Sequence, residues 1–302
     1  MAVSISIKEF APFGKCVAMD NGDAELLVTV DCGPRVISYK KAGGENLFFA
    51  DVNKENFADD PRIKETFGAD IYWFKGGHRL WGTPEDMPMT YVPDDKPVAW
   101  EETADGVVFK PEQQVITDWQ YVMTVKLAES GTDVKVKMEI INMRDEVRET
   151  GAWGITQMKA GGTIYCPLNV DMSLCPLPDK LVTLWPYCNL KDPRFDMDNS
   201  FISLHQEPGN FGPAFKFGTN NTAGWVAYAN DGGVFVKRFA APKEGCKYPD
   251  FGCNYESYTD GRMLEVECLG EMKFIGKGES VTLEENWFIT DKNDPLFGGI
   301  VK

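Results

Sequence analysis

Apolar and polar residues alternate with period two from one end of the chain to the other, and sustained helical periodicity is almost absent. Ala24 to Val30 and Arg35 to Tyr39 read as strands separated by the turn Asp31-Cys32-Gly33-Pro34. Tyr121 to Leu127 and Val134 to Ile141 alternate on either side of Glu129-Ser130-Gly131-Thr132, which predicts a hairpin. Further strands are expected at Trp225 to Tyr228, Gly233 to Phe239, Met263 to Cys268 and Val281 to Phe288. About twenty candidate strands of this kind, bounded by Gly, Asn and Asp turns, predict an all-β protein built as a large sandwich or barrel.

Two stretches break the alternation. Residues 50–97 and 166–200 hold several prolines and few strands, yet both are rich in aromatic side chains. Long loops in a compact β protein are functional or disordered, and this aromatic content argues for function. There is no linker, low-complexity segment or internal repeat, so residues 1–302 are read as a single domain.

Composition narrows the partners. Asp and Glu outnumber Lys and Arg by 46 to 31, a formal net charge of -15 that repels nucleic acid and anionic lipid. Residues Met1 to Phe10 carry no basic stretch followed by an apolar core, and no apolar run approaches the ~18 residues that span a bilayer, so a cytoplasmic protein is expected. Eight cysteines (16, 32, 166, 175, 188, 246, 253 and 268) include no C-x-x-C pair, so they are expected to be reduced, mostly buried thiols with neither a metal nor a disulfide framework. No cofactor motif is present, and the sequence leaves the oligomeric state open.

Three segments carry candidate chemistry. Tyr72-Trp73-Phe74-Lys75-Gly76-Gly77-His78-Arg79-Leu80-Trp81 concentrates indoles around one of only two histidines. Aromatic faces such as Trp73 and Trp81 stack on sugar C–H groups, Arg79 and His78 donate to hydroxyls, and a Gly-Gly pair admits close backbone approach to a ligand. In the run from Tyr255 through Glu256 to Gly270, strand geometry puts Glu265 and Glu267 on one face and Leu264, Val266 and Cys268 on the other. Two carboxylates so close repel, which raises one pKa if they are buried and suits a general base. From Trp153 to Gly162, Gln157 and Lys159 share a strand face that can line a polar cleft. His205 reads mainly as a structural histidine and secondarily as an acid. The run Asp192 to Asn199 lacks the Gly and distal Glu of a calcium loop.

Together these segments resemble the galactose mutarotase-like (aldose 1-epimerase-like) superfamily, and a poorly characterised bacterial branch of it in particular. The features that carry the resemblance run in order along nearly the whole chain: Asn21-Gly22 through Asp31-Cys32-Gly33-Pro34-Arg35 to Glu45-Asn46-Leu47-Phe48, then Gly76 to Trp81 with Tyr91 to Val98, then Trp153 to Gly162, and finally Leu264 to Gly270 with Glu285-Asn286-Trp287-Phe288. The resemblance implies a large antiparallel β-sandwich with sugar bound in a concave groove of one sheet. It implies a C-terminal glutamate base, matched by Glu267 with Glu265 beside it, and a mid-chain histidine acid that the segment Trp153 to Gly162 lacks. His78 or His205 is then the acid, with Arg79, Trp81, Trp73, Gln157, Lys159 and Glu256 as sugar contacts. The implied activity is an aldose 1-epimerase-like isomerisation. A non-catalytic carbohydrate-binding or sensing module, or a lyase or glycosidase on the same scaffold, are the alternatives.

Overall fold

The computed structural model describes residues 2–69, 71–168, 171, 173, 176–297, 299 and 301; Cys175 lies outside them. The expected antiparallel sandwich is what forms, from strands numbered here in chain order. One sheet runs β1 (Ser4–Glu9), β2 (Lys15–Asp20), β3 (Ala24–Thr29), β4 (Val36–Lys41), β7 (His78–Thr83). It continues through β12 (Arg148–Lys159), β21 (Met263–Leu269), β20 (Tyr255–Thr259), β17 (Phe215–Thr219) and β14 (Val182–Leu184). A short β22 (Lys273–Ile275) also pairs with β12.

The second sheet runs β15 (Phe195–Met197), β16 (Phe201–His205), β13 (Thr163–Pro167), β18 (Trp225–Asn230), β19 (Gly233–Phe239). It continues through β23 (Ser280–Thr290), β11 (Val134–Asn142), β10 (Trp119–Leu127), β9 (Gly106–Lys110) and β8 (Ala99–Thr103). A two-stranded pair, β5 (Phe57–Ala58) with β6 (Tyr72–Trp73), stands apart. The hairpin expected around Gly131 is β10–β11, in register from Trp119–Asn142 to Leu127–Val134.

Period-two patterning fills the space between the sheets. Leu26, Tyr39, Leu80, Met158, Phe217 and Val266 from one sheet meet Phe109, Val125, Val136, Phe235 and Trp287 from the other in one buried cluster. Each large apolar side chain removed from water there contributes about 1.5–3 kcal/mol. The core also holds a buried ion pair, with Lys237 Nζ 3.1 Å from Glu285 Oε2 and donating to the Val266 carbonyl at 3.0 Å. Trp287 Nε1 donates to the same carboxylate at 2.7 Å.

The outer face of β7, β12 and β21 is covered too. Helix α1 (Pro61–Phe67), capped by Asp60 and closed by Gly68 at φ 70°, sends Ile63 into a second cluster. That cluster packs Tyr72 and Tyr91 onto Trp81, Trp153, Ile155 and Leu269. The irregular segment 50–97 therefore roofs this face rather than standing free. Gly76 and Gly77, read from sequence as making room for a ligand, make room for backbone instead. Both have positive φ, and a Cβ on either would lie 2.3 Å from the Phe49 carbonyl or 2.4 Å from that of Val36.

Candidate functional site

Alternation decides which side chains reach the roofed face. On β7 the odd positions Arg79 and Trp81 point outward, on β12 Trp153, Ile155 and Gln157, and on β21 Glu265 and Glu267. The three strands are in register, with Arg79 opposite Ile155, Ile155 opposite Glu267, and Gln157 opposite Glu265. A cavity of about 350 Å³ opens over them, at the small end of small-molecule sites. Arg79, Gln157 and Glu265 form its polar floor, with Trp81, Trp153, Trp185 and Tyr187 among its walls and Glu85, Asp260 and Arg262 around it.

One oxygen of Glu265, Oε1, is held twice, accepting from Arg79 Nη2 at 3.1 Å and from Gln157 Nε2 at 2.8 Å. The Arg79 guanidinium lies 4.3 Å over the Trp81 ring, which fixes the plane from which it approaches. Charge-assisted bonds of this kind orient a carboxylate strongly, and Glu265 remains in contact with the cavity.

Glu267, expected as the base, lies deeper. It is fully buried, its Oε2 accepting from Trp153 Nε1 and from Lys216 Nζ, both at 3.0 Å, while its Oε1 has no partner among the described residues. Burial pushes its pKa up to about 7, with the charge of Glu265 adding and Lys216 opposing. The shared face predicted for Glu265 and Glu267 is present, but Lys216 from β17 and the Trp153 indole cover the second carboxylate. Glu256, expected as a sugar contact, is likewise fully buried, 2.7 Å from the Lys216 ammonium. Burial holds its pKa well above the carboxylate range despite that ammonium, and the charge of Glu267 pushes it the same way.

The histidines fall elsewhere. His78 occupies an even position on β7 and so points into the core, where Nδ1 lies 2.9 Å from Thr156 Oγ1 and Nε2 3.2 Å from Met138 Sδ. Its ring meets Trp287 edge-on at 4.6 Å. Burial, with Lys237, Arg79 and Arg35 adding, drives its pKa well below the usual value, so the imidazole is neutral. His205 is exposed on β16 of the other sheet, 3.0 Å from Thr163 Oγ1. Neither can serve the cavity as an acid.

Two expected sugar contacts also lie outside it. Trp73 stacks on Phe13 at 5.4 Å and donates to Asp51 at 2.7 Å, beneath the ammonium groups of Lys54 and Lys75. Lys159 is exposed at the end of β12 and pairs with Glu45. Arg79, Trp81, Gln157 and Glu265 are thus brought together, whereas His78, His205, Trp73 and Lys159 are not. In the acidic run 192–199, Asp192 is engaged by Arg194 and Asp198 accepts from the Ser200 and Phe201 backbone.

Lys216, Trp185 and Tyr187 were missed from sequence. The Phe215-Lys216-Phe217-Gly218 alternation carried the signal for Lys216, since two buried phenylalanines force the lysine onto the opposite face. Trp185 and Tyr187 fall in the second irregular stretch, whose aromatic content pointed to function without singling them out.

No protein-family model matches the sequence, and no curated protein matches it. Solved structures do match the fold. A TPR-domain containing protein from Parabacteroides distasonis aligns with a TM-score of 0.62 at 12% identity, over 92% of this chain and 47% of the other. The chain thus spans about half the length of that protein. A "putative aldose 1-epimerase" from Klebsiella pneumoniae gives 0.60 at 10% identity, over 96% of this chain and 84% of the other. A galactose mutarotase-like protein from Lactobacillus casei gives 0.50 at 10% identity, over 91% and 99%. The fold is the galactose mutarotase-like β-sandwich, as the motif resemblance implied. Among the described residues no helix is long and apolar enough to cross a membrane, and no group of three or more His, Cys, Asp or Glu is placed to hold a metal ion.

Proposed function

We propose that residues 1–302 act as one carbohydrate-binding domain that takes a monosaccharide, or a sugar derivative of similar size, into the cavity over β7, β12 and β21. The observation that carries this reading is Glu265, held at one oxygen by Arg79 and Gln157 in a cavity walled by indoles. Aromatic walls suit the C–H faces of a pyranose, and a fixed carboxylate beside an arginine and an amide suits its hydroxyls. The cavity volume supports a single ring rather than a chain.

An aldose 1-epimerase-like isomerisation is the catalytic form of this reading, and the names of the structural neighbours lend it support. Glu265, rather than the covered Glu267, would then remove the anomeric proton. The ring oxygen needs an acid, and Lys216 and Tyr258 are proton-bearing groups on the cavity wall. The absence of both histidines from the cavity favours the second reading, a binding or sensing module without turnover.

The test is a panel of aldoses and their derivatives, screened by saturation-transfer NMR for binding and by NMR exchange spectroscopy for anomer interconversion. Binding lost in Glu265→Gln and Trp81→Ala supports the cavity as the site. Binding without accelerated exchange leaves the module reading standing, and no binding by any sugar refutes both.

A further inference from the structure

The geometry points to a second ligand site, a cavity of about 410 Å³ on the other side of Arg79 and Trp81, suited to a neutral and largely apolar molecule bearing one hydrogen-bond acceptor oxygen. The cavity arises where the first sheet parts. β4 and β7 share only the register pair Val36–His78, so the extended pairing that joins β1 to β4 is not continued along β7. The gap is bridged by the chain after Tyr91. There the Gly33 N–H donates to the Asp94 carbonyl and the Val98 N–H to that of Val30, both at 2.8 Å. Residues 111–116 and Tyr121–Met123 of the opposite sheet close the far side.

Most of the lining is carbon, from Phe67, Leu80, Val92, Ile116 and Met123 as well as Trp81. Among its polar side chains Arg79 stands out, since it borders both cavities and is only 2% exposed. Its Nη2 serves Glu265, whereas Nε and Nη1 are buried without a partner among the described residues. Buried guanidinium N–H groups are nearly always satisfied, so a ligand oxygen toward which the guanidinium turns is the natural complement to these two, which have no accessible surface as the side chain stands.

Charge decides what kind of oxygen. The guanidinium is already balanced by Glu265, and charges bordering the cavity are paired as well, Asp94 with Arg35 and Lys75 and Glu112 with Lys96. A ketone, ester or ether oxygen meets the N–H groups without adding a charge, whereas a carboxylate or phosphate would bring a buried charge to cations that already have counter-ions. The site is independent of whether the first cavity takes a sugar.

Acetophenone is a suitable probe because it pairs an aromatic body with one carbonyl. Saturation-transfer NMR on the wild-type protein is expected to show acetophenone binding about tenfold tighter than ethylbenzene, which lacks the acceptor, and to show no binding of benzoate. Val92→Trp and Ile116→Trp, each chosen to fill the cavity from a loop, should abolish the acetophenone signal while leaving the far-UV circular dichroism spectrum unchanged. No acetophenone signal in the wild type, or an undiminished one in a folded filling variant, overturns the site. Equal binding of ethylbenzene overturns the role given to Arg79, and preferred binding of benzoate overturns the neutral ligand class.

Discussion

Glu256 and Glu267 are register partners on adjacent antiparallel strands, and both carboxylates reach the one ammonium of Lys216, at 2.7 and 3.0 Å. One positive charge cannot compensate two buried negative ones. Burial raises both carboxyl pKa values, with the charge of Glu267 adding at Glu256 and that of Glu265 at Glu267, while the two carboxylates push that of Lys216 up.

Stability should therefore fall as pH rises through the window that Glu267 sets. The native state keeps the Glu267 proton up to about pH 7, whereas the unfolded chain gives it up near 4.5. Between those values the native state binds more protons, so each step up in pH favours unfolding, by about 3 kcal/mol over the whole window. Urea unfolding of Glu267→Gln at pH 4.5 and 7.5 should show a loss smaller by about that amount than in the wild type. Equal losses in the two proteins would mean that Glu267 titrates normally.

Lys216→Met removes the only cation among the described residues that touches either carboxylate of the pair. Breaking a buried ion cluster from one side costs about 3–5 kcal/mol. The penalty should be larger at pH 8 than at pH 5, because at pH 5 both carboxyls can take up protons. A penalty independent of pH would point to lost packing over Trp153 and Trp185 alone.

Arg79→Ala should weaken sugar binding by about 1–3 kcal/mol, the scale of a hydrogen bond to a charged group together with the buried partner it leaves behind. If the protein turns sugars over, Glu265→Gln should cut anomer exchange by ~10²–10⁴-fold, as loss of a general base does, with a smaller effect on affinity. Calorimetry and exchange spectroscopy on the same samples separate the two effects.

His78→Ala should behave as a core mutant. Removing a buried ring that packs on Trp287 and Met138 is expected to cost about 2–5 kcal/mol of stability. Sugar affinity, measured where the variant is folded, should keep its wild-type pH dependence around neutrality, because burial holds the imidazole neutral there. A shifted profile would place His78 in contact with the site.

The reach of the sequence can be judged from two neighbouring pairs. For Glu265 and Glu267, spacing by two put both on one face, and they are there. For His78 and Arg79, the same rule forbids both from facing one cavity, and the attraction of a Gly-Gly-His-Arg motif between indoles obscured that. Local periodicity thus reports the face of a strand, but not which strand lies beside it. Glu267 is covered by a lysine 51 residues away in the chain, and no local pattern announces such a neighbour. The aromatic roof was legible as a stretch that breaks the strand pattern, and it does cover the sheet face. That Trp81 lines the cavity while Trp73 packs on Phe13 depends on how the segment folds back over the sheet.

Lys237 never meets the cavity, yet its ammonium grips the backbone carbonyl of Val266, the residue between Glu265 and Glu267. The strand that carries both glutamates outward is thus moored from below by a single charged tether at the midpoint between them. A random-mutagenesis screen for lost ligand affinity would be expected to recover Lys237 and its counter-ion Glu285 alongside true contacts. Ranking hits by distance from the bound molecule would discard the two residues that keep the carboxylates aimed.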